Sequence, residues 1–168
     1  MINLNFLSLK RKISFFIINN FLSGTKFFNI KRLLLNWSGY KIGKNTKIVG
    51  PLFITSELKV GDNTWIGKNL NCYGNGVVNI GSNCDIAPNV TFSTGGHLIG
   101  DESRRAGQGV NYNIVVSDCC WICVNSTLCK NITIGKSSVV AACSCVIDNV
   151  DSNVLVGGVP AKVIKKYE

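Results

Sequence analysis

A single histidine, His97, closes the pentapeptide STGGH at 93–97. Neutral imidazole titrates near physiological pH, so one such group can take a proton from a hydroxyl with no help from a metal. A lone histidine can equally be an ordinary surface or core residue, and its use depends on what surrounds it. Eight cysteines are the other chemically capable group. Cys119, Cys120, Cys123 and Cys129 crowd together, but structural zinc sites need two separated pairs, or cysteine with histidine, and no histidine is near. The cysteines therefore read as small apolar filler in tight turns and cores, and no metal is expected. No secretory signal shows ahead of them: the apolar run 13–22 is interrupted by Asn19-Asn20 and no small-residue cleavage site follows. The run is also too short and broken for a membrane span. A cytoplasmic, reducing setting is the expectation.

The net charge of +9 is unevenly placed. Lys10, Arg11, Lys12, Lys26, Lys31, Arg32, Lys41, Lys44 and Lys47 fall in the N-terminal region, and Lys162, Lys165 and Lys166 form a second cluster at the other end. Such clusters suit an anionic partner, a lipid surface or a phosphorylated cofactor, unless they are simply a solvated face. At 168 residues the chain is sized for one main domain with a real core.

What must position His97 is set by an internal repeat. Every sixth residue is apolar through Ile42, Ile48, Ile54, Val60 and Ile66, again through Ile80, Ile86 and Phe92, and again through Val116, Ile122, Leu128, Ile134, Val140 and Val146. Helices have no six-residue period, and a plain strand alternates every two. A period of six means short flat strands joined by corners. Gly43, Gly61, Gly67, Gly81 and Gly135 follow the apolar residue, and Asn45, Asn63, Asn69, Asn83, Asn89 and Asn131 fall three places after it. Both types tolerate left-handed backbone, which corners require. Three strands then make a triangular coil of about 18 residues, and roughly five coils fit the chain.

Open coil ends need covers. Residues 4–36 carry helical spacing in Leu4, Leu7, Ile13, Phe16, Ile17 and Phe21 and later in Ile30, Leu33 and Leu34, with a break near Ser23-Gly24. This segment could cap the first coil or lie on a membrane interface, since Lys10-Arg11-Lys12 sits within it. The repeat is interrupted twice. It slips by two residues across Tyr73-Gly74-Asn75-Gly76, and its chemistry is lost in GDESRRAGQGVNY, which reads as an exposed loop with His97 at its root. The expected divisions are a helical segment 1–38, a β-helix 39–158 with loop 98–113, and a basic tail 159–168.

Over about 39–166 the chain resembles the hexapeptide-repeat acyltransferases, which fold as a left-handed parallel β-helix. Within them it is most similar to the galactoside, maltose and nodulation-factor O-acetyltransferases and the small acetyltransferases of surface-polysaccharide synthesis. The resemblance is carried jointly by IAPNVT at 86–91, TGGH, ESRRAG at 102–107, Trp121-Ile122, the VAACS run at 140–144 and GVPAKVI at 158–164. It implies a homotrimer that uses acetyl-CoA as co-substrate, with His97 as general base toward a sugar hydroxyl. It further implies a CoA arm along Trp121, the backbone of Ala141 and Ala142, and Lys162 and Lys165. The acceptor would meet Asn75, Tyr73, Glu102 and Arg104, with Arg105 beside them. The chain departs from the pattern at Ser117, Cys123 and Cys143, where glycine is usual, at Ile147-Asp148, where a threonine-lysine pair is common, and at Asn113, where proline is usual.

Two other uses compete with sugar O-acetylation: N-acetylation of an amino sugar, and a non-catalytic scaffold held at the inner face of a membrane by its N-terminal helix. Carbonic anhydrases that share this prism take three histidines on zinc, and a chain with one histidine lacks that set.

Overall fold

The six-residue spacing closes into a parallel β-solenoid of three flat faces, in a computed structural model that describes residues 4–168. Residues 1–3 of the expected helical segment, and the side chains of Leu4 and Asn5, lie outside the described residues. The first face stacks Lys41–Ile42, Glu57–Val60, Val77–Ile80, Asn113–Val116 and Ile132–Ile134. The third stacks Leu52–Ile54, Leu70–Tyr73, Thr91–Ser93, Thr127–Cys129 and Cys145–Val146. The second face has seven strands. Six are parallel, from Lys47–Ile48 to Val154–Gly158, so the solenoid runs to one coil more than the roughly five that the repeat suggests. Its register places Ile48, Ile66, Ile86, Ile122, Val140 and Val156 in one vertical column.

All fourteen sixth-position residues are buried, none more than 6% exposed. Side chains alternate across a strand, so the residue two places earlier also points inward. On the first face this adds Leu58, Val78, Ile114 and Ile132 to the core. On the second face the same place holds Thr46, Thr64, Cys84, Cys120 and Ser138, all buried. Each donates to a carbonyl at the corner of the next coil: Thr46 Oγ1 to Gly61 at 2.6 Å, Thr64 Oγ1 to Gly81 at 2.9 Å, Cys84 Sγ to Ser117 at 3.2 Å, Cys120 Sγ to Gly135 at 3.1 Å and Ser138 Oγ to Asp151 at 2.7 Å. Cys84 and Cys120 are thus hydrogen-bond donors standing in a hydroxyl ladder, where the sequence reading has only apolar filler. Cys72 is plain core, and burial pushes its thiol well above the ordinary cysteine range.

The corners follow the asparagine half of the expectation. Asn45, Asn63, Asn69, Asn83 and Asn89 take positive φ between 54° and 60°. Asn131 does not. Lys130 turns the backbone there instead (φ 72°), and the Asn131 Oδ1 accepts the Asn113 N–H at 2.7 Å. Nor are Gly43, Gly61, Gly67, Gly81 and Gly135 left-handed. A Cβ on Gly67 would lie 2.6 Å from the Pro88 nitrogen of the next coil, so close stacking of corners selects glycine at these places.

The helical segment forms α1 (Leu4–Phe21) and α2 (Phe28–Trp37), broken between them as the Ser23-Gly24 signal predicts. Both lie against the first coil, burying Ser14 and Ile18 of α1 and Lys31 and Leu35 of α2. Their asparagines complete the exposed strand edges. The Asn19 amide donates to the Leu52 carbonyl at 2.9 Å and accepts the Leu52 N–H at 2.8 Å, and Asn36 does the same with Ile42 at 3.0 and 2.7 Å. Each side-chain amide replaces one peptide of a missing strand, which keeps the edge from pairing elsewhere. Lys31 is fully buried; its Nζ donates to the Gly24 carbonyl at 2.6 Å, and desolvation lowers its pKa.

Two stretches differ from expectation. The loop 98–113 is mostly an antiparallel hairpin of Gly95–Ile99 with Ala106–Asn111, and only its tip is irregular. The tail 159–168 folds back as Ala161–Lys166 and pairs antiparallel with Val154–Gly158. Glycine-rich composition hides strand pairing in the first case. In the second, the last strand of the second face offers a free edge that the tail satisfies.

Candidate active site

His97 sits on the hairpin that leaves the corner between the third and first faces. Thr94 anchors that corner. It is fully buried, and it ties down the neighbouring coil: its Oγ1 donates to the Tyr73 carbonyl at 2.7 Å and accepts the Gly76 N–H at 3.1 Å, while its own N–H donates to Tyr73 at 2.8 Å. Its carbonyl accepts the Tyr112 N–H at 2.8 Å, so both ends of the hairpin are fixed at one residue. The phase slip at Tyr73–Gly76 is what this corner needs. Gly74 takes φ 96°, and a Cβ there would lie 2.5 Å from the Gly95 nitrogen. The bulge and the hairpin root therefore meet backbone to backbone.

Between them opens a cleft of about 520 Å³ lined by Gly74, Asn75, Gly95, Gly96, His97, Gly109, Val110 and Asn111. The imidazole Nδ1 is 2.9 Å from the Gly107 carbonyl across the hairpin. A carbonyl only accepts, so Nδ1 carries the proton in this pair and the Nε2 lone pair is left free. A β-bulge between His97 and Ile99 accompanies the offset that brings Gly107 to the ring. The Tyr112 ring packs against Gly96: a Cβ on Gly96 would stand 2.7 Å from it.

Of the acceptor residues named from sequence, Asn75 shares the cleft with His97. Tyr73 points out of the third face, its ring 5.3 Å from that of Phe53, and does not line the cleft. Glu102 and Arg104 lie exposed at the hairpin tip, where the Asp101 Oδ1 organises the turn by accepting from the Ser103 and Arg104 N–H groups. Thr94 and Tyr112 escaped the sequence reading. The only signal for Thr94 was its place inside STGGH, and for Tyr112 there was none, because its contact is made through the fold.

The residues expected along a CoA arm gather on the second face. Trp121 is register partner to Val139, Val139 to Leu155 and Leu155 to Lys165, so the indole and the lysine stand in one row about 14 Å apart at the usual strand spacing. Trp121 is 53% exposed. Lys162 lies on the same terminal strand, 3.9 Å from the Asp148 carboxylate. The Ala141 N–H is already taken by the Val156 carbonyl at 2.8 Å, while Ala142 sits at an exposed corner. The corner bearing His97 is opposite the second face of the triangle. Within one chain the imidazole and the Trp121 row lie on different sides of the prism.

No protein-family model matches the chain. A relative from Escherichia coli K12 named "Putative colanic acid biosynthesis acetyltransferase WcaF" is 33% identical over 141 residues, covering 81% of this chain and 74% of that one. The chain belongs to the hexapeptide-repeat acetyltransferases. Galactoside O-acetyltransferase of E. coli K12 is 33% identical over 127 residues, a stretch that spans 74% of this chain but only 63% of that enzyme. A hexapeptide-repeat acetyltransferase from Vibrio cholerae, solved with acetyl-CoA, superposes with a TM-score of 0.84 at 26% identity, over 98% of this chain and 88% of that one. This hexapeptide-repeat acetyltransferase has no helix among its described residues that is long and apolar enough to cross a membrane. Nor do its described residues hold a group of three or more His, Cys, Asp or Glu side chains suited to a metal.

Proposed function

We propose that the chain transfers the acetyl group of acetyl-CoA to a sugar hydroxyl, on a surface polysaccharide or its precursor, with His97 as general base. The observation that carries the reading is the Nδ1–H hydrogen bond to Gly107, which fixes the tautomer with Nε2 as the proton acceptor at the edge of the cleft. In the reaction Nε2 takes the hydroxyl proton as the sugar oxygen bonds to the thioester carbonyl carbon. Collapse of the tetrahedral species breaks the C–S bond, and the imidazolium returns the proton to the departing thiolate. Products are an acetyl ester and free CoA thiol, and no covalent enzyme intermediate is needed because the thioester is already activated. Asn75, which lines the same cleft, would hold the acceptor beside His97.

The opposed positions of His97 and the Trp121 row support an oligomer in which one copy supplies the base and its neighbour the CoA track, and the family resemblance points to a homotrimer. Glu102 and Arg104 at the hairpin tip would then reach toward the neighbour. The names of two relatives, a galactoside O-acetyltransferase and a putative colanic acid biosynthesis acetyltransferase, support a sugar acceptor.

The reading is tested by turnover of acetyl-CoA over a panel of sugars and amino sugars, with the mass shift locating the acetyl group. His97→Ala should lose roughly 10²–10⁴-fold in kcat while the oligomer stays intact. Undiminished turnover in that variant would remove His97 from the chemistry. Transfer only to amino groups would reassign the acceptor.

A further inference from the structure

The helices that cap the solenoid carry a second apolar face that none of the described residues covers. On α1, Phe6, Leu9, Ile13 and Phe16 recur at helical spacing and are 54, 52, 39 and 61% exposed. On α2, Ile30, Leu33 and Trp37 do the same at 47, 66 and 47%, and Phe21 and Phe27 flank the turn between the helices at 71 and 59%. The stripes join into one surface. Lys10 Nζ lies 4.6 Å over the Phe6 ring and 5.0 Å over the Trp37 ring, linking α1 to α2, and Phe16 meets Phe21 edge-on at 5.8 Å. These residues do not serve the core: the buried positions of the same helices are Ser14, Ile18, Lys31 and Leu35.

Charge says what this surface meets. Residues 1–56 contain no aspartate or glutamate, and the chain's first acidic residue is Glu57, which Arg11 binds at 2.7 Å. Lys10, Lys12, Lys26 and Arg32 belong to the same two helices and the turn between them. A second copy of so basic a face would bring like charges together. A surface of exposed Phe, Leu and Trp set among lysines and arginines matches a bilayer interface with anionic headgroups, where the rings enter the acyl boundary and the cations reach the phosphates. We propose that the outer face of α1 and α2 docks this protein on an anionic lipid bilayer. The solenoid stands behind it, joined through the Asn19 and Asn36 strand caps, and the inference is independent of the acetyl-transfer reading.

The test sediments the full chain with vesicles of phosphatidylcholine alone or mixed with phosphatidylglycerol. Binding is expected to the mixed vesicles, to weaken with salt, and to fall by at least about tenfold in Phe16→Asp/Leu33→Asp. A second variant, Lys12→Glu/Arg32→Glu, should lose the preference for phosphatidylglycerol. Circular dichroism and thermal melting confirm that each variant folds, and its acetyl transfer to a soluble sugar is followed separately, so loss of docking and loss of chemistry are read apart. No sedimentation of the folded wild-type chain with mixed vesicles, equal binding to both vesicle types, or unchanged binding by Phe16→Asp/Leu33→Asp overturns the proposal. So does a change of oligomeric state in that variant without vesicle binding by the parent, which would make the stripe a contact between copies.

Discussion

His97 draws its orientation from one carbonyl, and that carbonyl is held by a hairpin with glycine at 95, 96, 107 and 109. Small residues let the two strands and the Tyr73–Gly76 bulge close on each other, but they also leave the imidazole's position dependent on few contacts. Gly96 is the sensitive one. Its Cα faces the Tyr112 ring with no room for a methyl group, so Gly96→Val must displace either the ring or the strand that carries His97. A shift of about 1 Å at a catalytic group can cost 10²-fold. We expect Gly96→Val to lower kcat by about that factor, while the melting temperature stays close to wild type because the hairpin projects from the core. A steady-state assay paired with a thermal melt reads both, and wild-type turnover would show that Tyr112 does not constrain the site.

At the scale of the element, the second face shows why cysteine is tolerated here. Thr46, Thr64, Cys84, Cys120 and Ser138 occupy equivalent places in successive coils and satisfy equivalent corner carbonyls. A thiol is larger and a weaker donor than a hydroxyl, yet it fills the same slot. Cys120→Ser should therefore change stability by less than about 1 kcal/mol, whereas Cys120→Val leaves the Gly135 carbonyl without its side-chain donor and should cost about 1–3 kcal/mol. Denaturant titration of the two variants separates them; equal stability would mean that the Sγ contact contributes nothing. The cysteines at the corners behave differently. Cys119 and Cys143 are exposed and take φ of 62° and 59°, in places where Asn63 and Asn89 serve elsewhere. On the third face, burial and the neighbouring Cys145 push the Cys129 thiol up to about 11.

For the whole molecule, the decisive fact is that His97 and the Trp121 row occupy opposite sides of one prism. Complementation tests whether copies combine them. His97→Ala and Trp121→Asp should each be nearly inactive alone, and co-refolded mixtures should regain activity, since some interfaces then pair an intact base with an intact CoA track. Mixtures no more active than their components would place both functions within one chain. Charge is partitioned on the same scale: the acid-free helices cap one end of the solenoid, and Lys162, Lys165 and Lys166 lie on the strand that closes the other.

The repeat was legible because a period of six has one physical outcome. An apolar residue at every sixth place can be buried only by short strands meeting at corners, and all fourteen such residues are core. The helix break, the asparagine corners and the position of His97 beside an insertion were legible for similar local reasons. The pairing of Gly95–Ile99 with Ala106–Asn111 was not, because glycine-rich strands have no side-chain alternation to read. Nor was the reason for the corner glycines, which is the approach of the coil above rather than their own backbone angles. Sequence alone determined the solenoid and singled out its one histidine, His97, the proposed base. Tertiary structure alone decided which carbonyl fixes that imidazole, that Tyr73 turns away while Thr94 and Tyr112 support the site, and that the Trp121 row faces away from His97. Those outcomes depend on residues far apart in the chain stacking one coil upon another, and a hexapeptide carries no record of its neighbours.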